Sequence, residues 1–190
     1  MKSGRLEAFT DGVMAIIITI MVLELQTPKT GDWAVLKELL PVLLAYIVSF
    51  IYVGIYWNNH HHLFQVSEKV NGKMLWANLH LLFWLSLLPF ATGWLGRNHL
   101  NIAPSAFYGF ILFMCATAWE ILARQMIKFE GKNSKIGRIY QNDKKKGISI
   151  ISYFLGIALS FYIIPLALLI YFAVALLWLI PDRRFEKVID

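Results

Sequence analysis

Apolar positions in this chain come in long, nearly unbroken blocks, not in the one-in-two or three-in-seven spacing of elements that face water on one side. The blocks run over 9–25, 36–57, 74–95 and 102–127, and then over 148–180, a last stretch interrupted by Pro165. A membrane-crossing helix needs about 20 mostly apolar residues to span about 30 Å of hydrocarbon. As one helix, the last block would be about 50 Å long at about 1.5 Å per residue, too long for an ordinary bilayer. Two short helices over 148–164 and 165–180 fit better, because proline lacks a backbone donor and suits the first turn of a new helix. The pattern predicts one all-α integral membrane domain over 1–190 with six transmembrane helices.

Composition agrees. Of the 190 residues 58% are hydrophobic and only 16% are charged, whereas soluble domains carry about 25% charge. Disorder is excluded by the same figures, and a single cysteine, Cys115, excludes a disulfide framework. Six spans place Lys2, Arg5, Lys69, Lys73, the eight basic residues of 124–146 and Arg183, Arg184 and Lys187 on one side, fifteen of the eighteen. Only Lys29, Lys37 and Arg97 fall on the other. The positive-inside rule then puts both termini in the cytoplasm. The net charge of +6 is a topology signal; no soluble basic face is left to bind nucleic acid. No cleavable leader is expected, since the first block opens with Glu7 and Asp11 and lacks a small-residue cleavage site. The polar stretch 129–146 reads as a basic cytoplasmic connector near anionic lipid, with a regulatory lipid site as the second reading.

The first helix is unusual. Twelve uncharged residues separate Asp11 from Glu24, about 18 Å of helix, so both acids lie at or inside the membrane boundaries. Acids at that depth face a bundle interior or water, not lipid. At about 100° per residue Ile16, Ile20 and Leu23 share one narrow face, with Gly12 continuing it inward and Thr19 on its flank. Asp11 lies about 140° from Ile16 on the same wheel and is expected to point into the bundle. Its candidate partners are Arg5 and the polar groups of the second and third helices: Trp57, Asn58, Asn59, His60, His61 and His62 on one, Trp76, Asn78 and His80 on the other. Three consecutive histidines point about 100° apart and do not converge on one ion, so no metal site and no cofactor are expected. Glu120 and Arg124 stand at i, i+4 spacing and read as a boundary salt bridge. Glu24 reads either as a cation-concentrating group at an outer mouth or as a solvated helix end.

Several runs are recognisable together. Arg5-Leu-Glu-Ala-Phe9-Thr10-Asp11 resembles the R-x-x-x-F-S-D signature that opens the first helix of the transmembrane protein 175 family, with threonine for the usual serine. Trp57-Asn-Asn59-His60-His61-His62-Leu63-Phe64 resembles that family's W-x-x-H-H-x-L-F run. Asn78 followed by Leu88-Pro89-Phe90, and Ala175 through Trp178 to Pro181-Asp182-Arg183-Arg184, resemble its third and last helices. A single six-helix unit is similar to the prokaryotic form, which implies a plasma (inner) membrane location. The resemblance implies a homotetramer with the first helices around a central pore, conducting K+ as the permeant ion with potassium selectivity or preference. It implies a constriction at Ile16, five positions after the signature Asp11, and a selectivity role for Thr19; Ile20 and Leu23 would form further rings. Arg5, Phe9, Thr10, Asp11, Asn59, His60, His61 and Asn78 would form the inner hydrogen-bond network. No T-x-G-Y-G filter is present; Phe107-Tyr108-Gly109-Phe110 is a superficial echo within an apolar block.

Other classes compete. A proton-coupled transporter or proton-leak pathway would use Asp11 and the inner histidines as a relay. An intramembrane enzyme would need an HExxH, a GxSxG or paired intramembrane aspartates, and none is present. Nothing in the sequence speaks for a purely structural subunit.

Overall fold

The computed structural model describes residues 3–65, 67, 69–141 and 144–179. Its described residues form an all-helical bundle: α1 (Gly4–Leu23), α2 (Val35–Gln65), α3 (Gly72–Ser86), α4 (Leu88–Arg97), α5 (Ile102–Glu130), α6 (Lys135–Gln141), α7 (Lys144–Ser160) and α8 (Ile164–Leu179). Four segments, α1, α2, α3 with α4 (72–97) and α5, are long and apolar enough to cross a membrane; α8 is apolar but shorter, at 16 residues.

Several expected boundaries shift: α1 begins at Gly4 and not at Phe9, and α5 runs on to Glu130. The second helix does not stop at Trp57 but runs on through the histidines to Gln65; nothing from 58 to 65 is a helix breaker, and Leu63 and Phe64 are buried anchors for the last turns. The third block is bent at Leu87, because Pro89 has no N–H for the carbonyl one turn back and Leu87 bonds to Trp84 in a tighter turn. The last block breaks at 161–163, with Pro165 in the first turn of α8, and α7 begins earlier than expected, at Lys144. Gly131, at φ +96, ends α5 in a conformation that side-chained residues rarely adopt. The C-terminal cluster Arg183, Arg184 and Lys187 lies outside the described residues.

α5 is the hub, packed against α3, α4, α7 and α8, whereas among the described residues α1 packs chiefly on α2, α3 and α4. Lipid tails supply no hydrophobic drive for helix association, so close packing at small residues must do so. Tyr171 of α8, only 1% exposed, is wedged between Gly109 of α5 and Gly156 of α7; a Cβ at either position would collide with its ring or hydroxyl. A Cβ on Gly96 would lie 2.7 Å from the Val42 Cα, marking a close crossing of α2 and α4. Gly156→Ala is therefore expected to destabilise the detergent-solubilised protein by about 1–3 kcal/mol, the usual cost of overpacking. Thermal unfolding checks it, and Tyr171→Leu in the same chain should recover part of the loss.

Candidate functional site

α1 divides sharply into two faces. Leu6, Thr10, Met14, Ile17 and Met21, spaced three or four apart, are buried against the bundle. Ile16 (58% exposed), Ile20 (44%) and Leu23 (78%) stand open on the other side, with Gly12, Thr19 and Asp11 also exposed. Only 28% of the apolar window of α1 is buried, against 50% for α5. The aliphatic stripe read from the sequence is thus the unpartnered face of the least covered long helix.

Asp11 does not point into the bundle. α1 contributes so narrow a stripe to the core that the acid, although far around the wheel from Ile16, remains on the open side. There its Oδ1 accepts the Trp57 indole N–H at 2.9 Å. Trp57 stacks on His61 with ring centroids 6.0 Å apart, and His61 bonds Gln65 at 2.8 Å.

The buried polar contacts form a second, separate set. The Asn78 amide donates to the Thr10 hydroxyl at 2.9 Å, and its oxygen meets His60 Nε2 at 2.9 Å. All three side chains are at most 2% exposed. This bridge ties α1, α2 and α3 together at the end where the signature residues lie. His60 also packs on Phe64 at 4.5 Å between centroids. His60 and His61 thus serve different neighbours and do not converge.

The expected inner network is accordingly divided. Thr10, Asn78 and His60 are brought together inside; Asp11 and His61 are linked through Trp57 outside. Asn59 lines a cavity of roughly 40 Å³ between α2, α5, α7 and α8, shared with Glu120 and Lys146, and belongs to neither set. Arg5 makes no ion pair among the described residues, and Phe9 is 55% exposed on the open side.

Thr19 sits beside the stripe with its hydroxyl donated to the Ile16 carbonyl at 2.8 Å, which leaves its oxygen lone pairs outward. Glu24 is not a bare helix end: its Oε2 pairs with Arg97 at 2.7 Å, pinning the C-terminal end of α1 to α4 over Gly93. That pairing offsets the cation-concentrating charge expected of it. No local signal links these two, since they lie 73 residues apart. Glu120 does pair with Arg124 at 2.8 Å, and Lys146 joins at 3.4 Å. Gly109 lies inside the unbroken α5, so the Phe107–Phe110 run forms no filter loop.

Sequence reasoning also missed a buried chain in mid-bundle. Thr92 donates to Ser49 at 2.7 Å, and Ser49 meets the Tyr108 hydroxyl at 2.9 Å. Isolated hydroxyls in apolar blocks are unremarkable by themselves; only the crossing of α2, α4 and α5 joins them.

Comparison with known proteins gives one answer. The profile of the family described as endosomal/lysosomal potassium channel TMEM175 matches residues 5–89, which hold the α1 signature and Asn78. A potassium channel of Chryseobacterium sp. (strain P1-3) is 60% identical over 187 residues, 98% of this chain and 97% of that one. A potassium channel of Chamaesiphon minutus is 31% identical over 149 residues, 68% of this chain and 73% of that one. The zebrafish (Danio rerio) endosomal/lysosomal proton channel TMEM175 is 29% identical over 63% of this chain but only 23% of its own length. The crystal structure of a lysosomal potassium-selective channel TMEM175 homologue from Chamaesiphon minutus superimposes with a TM-score of 0.81 at 26% identity, covering 93% of this chain and 95% of that one. With α1, its signature and nearly the whole length matched, the chain belongs to the TMEM175 family of multi-pass membrane ion channels.

Proposed function

We propose that this chain forms a homotetrameric cation channel of the prokaryotic inner membrane, potassium-selective or potassium-preferring, with α1 of each subunit lining the pore. The observation that carries the reading is the open face of α1. It holds Ile16, Ile20 and Leu23 in line, and the same side carries the exposed acid Asp11. A face that bears a carboxylate within the membrane boundary is not a lipid-facing one; four such faces turned together give it water. The relatives named as potassium channels supply the permeant ion, K+. Rings of Ile16, Ile20 and Leu23 would then act as a hydrophobic gate, closed by dewetting when narrow. Bilayer recordings of the purified protein in asymmetric potassium and sodium test this: discrete single-channel currents reversing towards the potassium potential are expected. Saturable flux without unitary currents would point to a transporter.

Animal relatives named as proton channels support a second reading, proton passage along the same hydrated pore. A side-chain relay from Asp11 to the histidines is disfavoured, because Trp57 stands between them and an indole N–H only donates.

Two predictions follow from this arrangement. Asp11→Ala removes the α1–α2 bond to Trp57, a charge-assisted hydrogen bond worth about 1–2 kcal/mol at an exposed site. It should lower the yield of assembled protein more than it changes ion preference. A well-assembled Asp11→Ala protein with sharply altered reversal potential would mean that Asp11 acts directly on the permeating ions and not through its bond to Trp57. The six-span topology, resting on the fifteen-to-three basic asymmetry, predicts cytoplasmic N- and C-termini. A terminal reporter active only outside the membrane would overturn it.

A further inference from the structure

The basic groups that the conduction reading leaves aside are not all solvated alike. Between the N-terminal end of α3 and the C-terminal end of α5 lies an open cleft of about 520 Å³, lined by Asn71, Lys73, Trp76, Gln125, Lys128 and Phe129. Its size lies within the roughly 300–1,000 Å³ of small-molecule sites. Among the described residues Lys73 and Lys128 form no ion pair. Glu120 holds Arg124 and Lys146, and one oxygen of Glu130 accepts the Ser67 hydroxyl at 2.7 Å. Beside the two lysines, Trp76 is 76% exposed and Phe129 46% exposed. Large exposed aromatics next to cations, where two apolar helices leave their hydrocarbon length, are the signature of a membrane interface.

We propose that this cleft binds the phosphate-bearing headgroup of an anionic phospholipid. Lys73 and Lys128 supply the positive charge from two different helices, and Asn71 and Gln125 bring amide groups to the same cleft. Trp76 and Phe129 lie against the glycerol and upper acyl region. A soluble anion would use the lysines but gain nothing from the aromatic pair, which is why the lipid is the occupant. Basic pockets between helices at the cytoplasmic boundary suit such headgroups. The inner-leaflet placement rests on the topology proposed above; binding itself does not.

Native mass spectrometry of the detergent-purified protein tests this, titrating dioleoyl phosphatidylglycerol against phosphatidylcholine of the same chains. Preferential retention of phosphatidylglycerol is expected. The double variant Lys73→Gln/Lys128→Gln should lose affinity by roughly twenty- to thirtyfold, each near-surface lysine being worth about fivefold. Lys29→Gln/Lys37→Gln, the same charge change at the opposite end of the bundle, should leave it unchanged. Unaltered lipid binding in the first double variant overturns the proposal. So does displacement of the lipid by an equal concentration of inorganic phosphate, which marks a free-anion site. Dissociation of the oligomer with lipid bound per subunit unchanged also overturns it, marking the cleft as a contact between subunits. Currents are recorded separately in phosphatidylcholine bilayers. Protein that binds phosphatidylglycerol through these lysines yet passes no potassium leaves the site standing and removes the conduction reading.

Discussion

Ile16→Asn is expected to give larger unitary currents and weaker discrimination of potassium from sodium, with assembly intact. Ile16 is 58% exposed on the open face of α1 and makes no part of the buried stripe Met14, Ile17 and Met21. Four aliphatic side chains on a pore axis cannot replace an ion's hydration shell, so a narrow ring excludes ions by dewetting. Four amides at the same ring would hold water and lower that barrier. Each 1.4 kcal/mol removed is about tenfold in passage rate, so an increase of tenfold or more is reasonable for a wetted constriction. Ile18 supplies the contrast: it is half-buried and packs against the core cluster, so Ile18→Asn should reduce folded yield instead. Should Ile16→Asn protein assemble, conduct and select like the parent, the constriction is elsewhere and α1 does not line the pore at this level.

The second large effect is expected at Asn78. Asn78→Ala removes both bonds that tie α1 to α3 and α3 to α2. It leaves the Thr10 hydroxyl and the His60 ring buried with no counterpart, at about 1–3 kcal/mol each. Against a total stability on the order of 5–15 kcal/mol, a loss of about 2–6 kcal/mol is severe. Thermal unfolding of the purified protein should show a marked drop in Tm. Leu79→Ala, one residue on and 42% exposed, removes as many side-chain heavy atoms without stranding a polar group and should cost far less. Equal stability of the two variants would mean that the Thr10–Asn78–His60 bridge contributes little.

Both predictions concern residues that the sequence singles out, yet it reaches them by different routes. The stripe that holds Ile16 follows from helical periodicity, a property of one helix that needs no partner to be known, and the choice of Ile16 within it is what the family resemblance implies. Asn78 is visible only as a polar residue in an apolar block. Which groups it joins depends on how three helices cross, and no spacing within the chain encodes that. Asp11 shows the limit most clearly. Its depth between the membrane boundaries is a matter of counting residues, but its direction depends on how much of α1 the bundle covers. With α1 packed chiefly on α2, α3 and α4, the acid stays on the open side and meets Trp57.

Membrane residence, the apolar blocks, the break near Pro165 and the alignment of Ile16, Ile20 and Leu23 on one face were determined by the sequence alone, because hydrocarbon thickness and helical pitch act on each segment independently. The tertiary structure decided the rest. It ran α2 on to Gln65, bent the third block at Leu87 and paired Glu24 with Arg97 across 73 positions. It also divided one expected polar network into a buried bridge and an exposed contact. The reason is physical: in a chain whose blocks are all apolar, hydrophobicity says that each helix enters the membrane but not which neighbour it meets. That choice rests on shape, at Gly96, Gly109 and Gly156, and on the few polar groups that must find one another inside.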